Sequence, residues 1–205
     1  MSSRTIRWCG WAAAAGGAMW MAKGTAILIT GAQPPLLFEL ALLLFPVGLL
    51  GLYARLGGHH GRLRSAGGAV SLVALVAGAI YAGVSAVDPD ATGVVPGVAI
   101  AGSALGTVVG LVLLGLVTRQ TNAFPPPWTR LPLRLGLATP VLLSVVGGML
   151  SEINERLLEV PLVLVAIAWV KLGLLIADPT KEIVSGDATR RPDPSTAAAR
   201  ERGHG

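Results

Sequence analysis

Val98-Ala-Ile-Ala-Gly-Ser-Ala-Leu-Gly-Thr-Val-Val-Gly-Leu-Val-Leu-Leu-Gly-Leu-Val117 carries no charged side chain. At a rise of 1.5 Å per residue, such a run as a helix covers the ~30 Å hydrocarbon core of a bilayer. Lipid offers no partner to backbone N–H and C=O groups, so the run is predicted to be helical. Turn chemistry flanks it: Asp88-Pro-Asp90 before it and Phe124-Pro-Pro-Pro-Trp128 after it. Working outward, five more apolar runs stand at 11–30, 36–56, 66–87, 133–150 and 157–177, separated by breaks such as Gly31-Ala-Gln-Pro-Pro35 and Gly57-Gly-His-His-Gly61. Proline and glycine interrupt helices there.

The composition agrees. Apolar residues make up 53% of the 205 positions, and charged residues 13%, against roughly 25% in an average soluble domain. Mean hydropathy is +0.67. The expectation is an all-α bundle of six transmembrane helices over 1–177, followed by a disordered cytoplasmic tail over 178–205, where Pro, Arg, Asp and Ala dominate.

Basic residues fix the expected orientation. Arg4 and Arg7 precede the first run; Arg55, Arg62 and Arg64 follow the second; Arg119, Arg130 and Arg134 follow the fourth; Lys181, Arg190, Arg191, Arg200 and Arg202 lie in the tail. The alternate gaps hold only Arg156. The positive-inside bias therefore places both termini in the cytoplasm. Trp8, Trp11, Tyr53 and Trp128 then fall at cytoplasmic ends of spans, where amphipathic rings sit at headgroup level. A formal charge of +5 raises nucleic acid as a partner, but the basic residues are dispersed over loops beside spans and read as topology signals and anionic-lipid contacts. The lipid bilayer is the expected partner, with a homo-oligomer or another membrane protein beside it and no nucleic acid. The location is the inner or plasma membrane, and the Ala, Gly, Val and Arg usage reads as a bacterial, GC-rich genome. Arg4 and Arg7 ahead of an Ala- and Gly-rich stretch resemble a signal peptide, yet Met19-Trp-Met21 suits a small-residue cleavage site poorly, so an uncleaved first span is expected. Cys9 is the only cysteine and admits no intrachain disulfide.

Charged groups inside a span cost about 2.5–3.5 kcal/mol on insertion scales, so Lys23 calls for a partner. Glu39 lies early in the second span, beyond a connection too short to part the two helices. Lys23 sits about 12 Å and Glu39 about 7 Å below the outer ends of their spans, an offset that a snorkelling lysine stem bridges. A Lys23–Glu39 intramembrane ion pair is expected. Thr30, Tyr81, Ser85, Ser103, Thr107 and Ser144 fall at similar depths and could line an outward-facing polar cavity, unless each hydroxyl bonds its own helix. Lys171 in the sixth span is close enough to the cytoplasmic end to snorkel inward, beside Trp169.

Gly102, Gly106 and Gly110 place small residues on one face of the fourth span for close helix packing, within the bundle or in a homodimer. Pro46 and Pro140 interrupt the second and fifth spans, as matching positions of an inverted repeat would. Glu152, Glu155 and Glu159 follow i, i+3, i+7 spacing and would share one external helix face if a helix ran through them. His59-His60 could touch a metal, but a site needs three or four convergent ligands, so no metal site and no cofactor are expected. No phosphate loop, HExxH or GxSxG pattern is present, and the chain is not expected to be an enzyme. The leading expectation is an accessory or scaffold subunit in the membrane. A small transporter or sensor using Lys23 and Glu39 is the alternative, and an intramembrane lipid enzyme a third.

Overall fold

The structure, a computed structural model, describes residues 1–57, 61–88 and 91–178. His59-His60 and the tail beyond 178 lie outside the described residues. Among the described residues seven α-helices follow in order: α1 (Ser3–Thr30), α2 (Leu37–Arg55), α3 (Arg62–Val87), α4 (Val94–Thr121), α5 (Leu131–Pro140), α6 (Gly147–Ile153) and α7 (Glu159–Ala177). A π-helical turn over Val141–Val146 joins α5 to α6 in one rod. Counting that rod once, six helices among the described residues are long and apolar enough to cross a membrane.

Local chemistry sets the boundaries. Ser2 caps α1 by accepting from the Thr5 amide at 3.3 Å. Gly31 ends the helix at φ 75°, its amide donating to the Ile27 carbonyl, as a left-handed glycine cap does. The first helix begins eight residues before the apolar run, where Ser2 caps it and Arg4 and Arg7 are good helix formers. In the fifth rod Pro140 has no N–H to donate to residue 136, and the ladder re-registers behind it until the Gly147 amide donates to the Leu142 carbonyl, five residues back.

α2 is central, touching α1, α3, α4 and α7, while α1 lies along α7 and α3 along α4. The core is filled by Leu42, Phe45, Leu49, Leu52, Leu111, Leu114, Val165, Trp169 and Leu172. Phe45 stacks on Trp169 at 4.3 Å and meets the edge of Trp20 at 5.0 Å. Trp169 is therefore core, not an interfacial anchor. The outward surface is a belt of Leu72, Val73, Val76, Ile80, Leu137, Val145, Met149 and Leu164, which fits hydrocarbon surroundings and would be an aggregation surface in water.

Glycine decides the tightest crossing, that of α1 with α7. A side chain on Gly17 would lie 2.7 Å from the Ala166 carbonyl, and one on Gly173 would strike the Ala14 amide and the Gly10 carbonyl. Gly10, Gly17 and Gly24 recur every seven residues along α1, so one face meets α7 repeatedly.

Candidate functional site

Lys23 does form a buried ion pair, but with Glu159 and not with Glu39. Lys23 Nζ donates to Glu159 Oε1 at 3.0 Å and to Oε2 at 3.4 Å, and both residues are 6% exposed. The expected pairing with Glu39 rested on sequence proximity. Lys23 lies about 100° around α1 from Gly24, between the side pressed onto α7 and the side that Gly16 turns to α2, and α7 starts at Glu159, whose carboxylate stands beside Gly24 within reach of the lysine stem. The ammonium also lies 5.4 Å from the centroid of the Phe38 ring. Glu159 stands in the first turn of α7, where the helix dipole favours a negative charge.

The three glutamates do not share a face. Asn154 breaks the backbone at φ −159° and a 3₁₀ turn spans Glu155–Leu158. Glu152 and Glu155 remain exposed, while Glu159 turns into the bundle. Beside that turn the Arg156 guanidinium lies over Gly31 at the end of α1, where a side chain would fall on it, and places a cation at a helix carboxyl end.

The six polar residues expected around one cavity are dispersed. Thr30 is exposed and bonds its own helix at the Ala26 carbonyl, 2.8 Å away. Ser144 is exposed on the π-helical turn. Tyr81 meets the edge of Phe38 at 6.2 Å, and Ser85 is buried one turn further along α3. Ser103 and Thr107, one turn apart on α4, are both buried, and Ser103 faces α2.

Ser103 has a specific task. Pro46 cannot donate to the Leu42 carbonyl, the bond an α-helix would make there. Ser103 Oγ donates to that carbonyl instead, at 3.2 Å. Gly78 of α3 leaves the room: a side chain on it would lie 3.0 Å from both the carbonyl and Ser103 Oγ. Pro46, Gly78 and Ser103 thus form one constellation across three helices. The sequence offered Pro46 and Ser103 separately; their link depends on helix packing, which no spacing rule encodes.

Three polar atoms are buried without a hydrogen-bond partner among the described residues: Trp20 Nε1, Glu39 Oε2 and Thr107 Oγ1. Natural structures leave few such groups, and each calls for an explanation. Glu39 stands half-buried in the first turn of α2.

Gly106 packs on Ala74, and Gly110 on Ser71 Oγ and Leu49, while Gly102 faces Ala77 at ordinary contact distance. The α4 glycines therefore serve the α3–α4 and α2–α4 crossings. At the opposite end of the bundle, cations meet rings: Lys171 over Trp128 at 4.5 Å, Arg64 over Tyr53 at 4.2 Å and Arg55 over Phe124 at 5.4 Å. Arg55 also donates to the Ile176 and Asp178 carbonyls at the end of α7. No group of three or more His, Cys, Asp or Glu side chains fit to hold a metal occurs among the described residues.

Comparison of the chain with protein-family models, with curated proteins and with solved structures returns no match.

Proposed function

We propose that the chain is a multi-pass protein of the cell membrane, with both termini in the cytoplasm, that serves as an accessory or scaffold subunit. The observation that carries this reading is the closure of α1 on α7. Two embedded charges neutralise each other directly across that crossing, in line with glycine contacts that allow the backbones to touch. A rigid closure of this kind suits a part that holds neighbours in place. The outward face of α1 supports the same reading: Ala15, Ala18, Ala22 and Thr25 are exposed at alternating steps of three and four residues, the spacing of a helix–helix seam.

A photo-crosslinking residue introduced at Ala18 or Ala22, with Leu72 on α3 as the comparison site, tests it in native membranes. A subunit gives a discrete crosslinked protein from α1. Crosslinks to lipid alone from both helices would refute the reading.

A second reading, a small transporter or sensor, draws on a different observation. Glu39 Oε2 and Thr107 Oγ1 are buried with no donor or acceptor among the described residues, as expected of groups awaiting a ligand.

A further inference from the structure

We infer that the outward seam between α5 and α7 holds an anionic phospholipid, its phosphate between Lys171 and Arg134 and an acyl chain along the apolar strip beneath them. The inference rests on the membrane-spanning reading and is independent of the subunit role.

Two helices bring the cations together. Lys171 of α7 reaches sideways to the start of the α5 rod, where its ammonium lies 4.5 Å from the Trp128 ring centroid, a contact that holds the charge in place. α5 touches α7 along that side. Arg134 is carried by the same rod, six positions on from Trp128. Neighbouring glycines show which way each cation turns. Gly136 packs on Leu111 and Val112 of α4, and Arg134, two positions before it, stands about 160° around the axis from that contact. Gly173 packs on Gly10 and Ala14 of α1, and Lys171, two positions before it, likewise stands about 160° from α1. Both cations are thus turned from the outer neighbours of their helices toward the open side of the seam. Arg134 is exposed and Lys171 half-buried.

Charge and shape then select the occupant. Neither cation has a carboxylate or hydrogen-bond partner among the described residues. At this end of the bundle cations stand on α1 to α5 and on α7, and Asp178 is the one carboxylate among the described residues. An arginine fork and a lysine point charge are both phosphate-binding groups. Outward of them the surface turns apolar on both sides. Ala138 and Val141 follow Arg134 at i+4 and i+7, and Ile167 and Leu164 precede Lys171 at i−4 and i−7; all four are exposed. Each strip therefore runs about 10 Å into the membrane from its cation. A partner helix would cover the strips and leave two cations unneutralised, whereas a phospholipid with net negative charge satisfies both halves of the surface.

The test is native mass spectrometry of the detergent-solubilised full chain titrated with phosphatidylglycerol or with phosphatidylcholine of the same acyl chains, joined to thermal unfolding in each lipid and in inorganic phosphate. Phosphatidylglycerol should bind in preference and raise the midpoint. In Arg134→Gln/Lys171→Gln its affinity should fall about thirtyfold, as two interfacial cations are lost. Arg4→Gln/Arg7→Gln removes the same charge from the same end and should keep the preference. Ala138→Phe fills the strip with every charge retained and should also weaken phosphatidylglycerol, which keeps the site testable if the glutamine pair fails to fold. Equal binding of the two lipids overturns the proposal. An equal loss in the Arg4/Arg7 pair overturns it too, since charge alone would then attract the lipid. So does a midpoint raised as far by inorganic phosphate, or an Ala138→Phe protein that binds as the wild type does. Release of the chain from membranes by alkaline carbonate would overturn the spanning reading and this site with it; retention without a lipid preference overturns the site alone.

Discussion

Removing the Ser103 hydroxyl should matter only as long as Pro46 is present. In the wild type Ser103 Oγ donates to the Leu42 carbonyl at 3.2 Å, and residue 46 has no N–H to offer it. Ser103→Ala leaves a buried carbonyl unsatisfied. Such a group costs about 1–3 kcal/mol in proteins generally, while side-chain hydrogen bonds within membrane bundles average about 0.6 kcal/mol and reach about 1.7. Ser103 is fully buried, with Gly78 holding α3 close on the other side, so no lipid-exposed water replaces the donor. A loss near the upper membrane value, about 1.5 kcal/mol, follows. Pro46→Ala restores an amide at the position from which an α-helix satisfies Leu42. In that background Ser103→Ala should cost only a few tenths of a kcal/mol, which makes the coupling about 1 kcal/mol.

Reversible unfolding in mixed micelles, titrated with sodium dodecyl sulfate and followed by tryptophan fluorescence, measures the four proteins of this cycle. Trp20 and Trp169 are both in the core and report its loss. The Pro46→Ala protein carries its own packing change, and the cycle subtracts it. An equal cost of Ser103→Ala in both backgrounds would refute the reasoning, because the hydroxyl would then be acting elsewhere than on the proline-freed carbonyl.

The charge pair gives a second cycle. Lys23→Met alone strands the buried Glu159 carboxylate and should cost about 3–5 kcal/mol, whereas Lys23→Met with Glu159→Met should return to within about 1 kcal/mol of the wild type; equal losses in both, by the same titration, would mean the pair contributes nothing as a pair. The α1–α7 crossing gives a third comparison. Gly173→Ala places a methyl on the Ala14 amide and the Gly10 carbonyl and should lower the midpoint by the equivalent of about 1–3 kcal/mol of overpacking. Gly148→Ala on α6 meets nothing within 4 Å and should be neutral or mildly stabilising, as alanine is the better helix former; the reverse order would show that the crossing is looser than described.

How much of this was legible in the sequence depended on whether the information was local. Helix existence was local: runs such as 98–117 announce themselves by length and apolarity, and α4 extends that run by four residues at each end. That Lys23 needed a partner was local too, since the insertion cost follows from the residue alone. Which carboxylate it met was not. Glu39 is 16 residues away in the chain and Glu159 is 136 away, and only the rotation of α1 about its axis selects between them. A signal for that rotation existed in Gly10, Gly17 and Gly24, whose heptad spacing marks the α7-facing side. Lys23 stands about 100° around the axis from Gly24, at the edge of that side between α7 and α2. Glu152, Glu155 and Glu159 misled in the opposite way, because i, i+3, i+7 spacing implies a shared face only if one helix runs through them, and Asn154 interrupts it.

The position of the ion pair along α1 follows from the same glycines. At Gly10 and Gly17 the atoms nearest an added side chain are backbone atoms of α7, but at Gly24 they are the side chains of Val163 and Glu159. The two helices therefore touch backbone to backbone along the Gly10 to Gly17 stretch and stand further apart at Gly24. Glycine packing yields least where the backbones separate, and a charged pair in low dielectric acts across a gap that dispersion does not. Lys23 and Glu159 occupy that interval, and Arg156 over Gly31 carries the contact to the end of α1. On this argument Lys23 stands where α1 diverges from α7; one turn toward Gly17 the same side of α1 carries Trp20, which packs on the Phe38 and Phe45 rings, so a lysine moved there would face aromatic side chains.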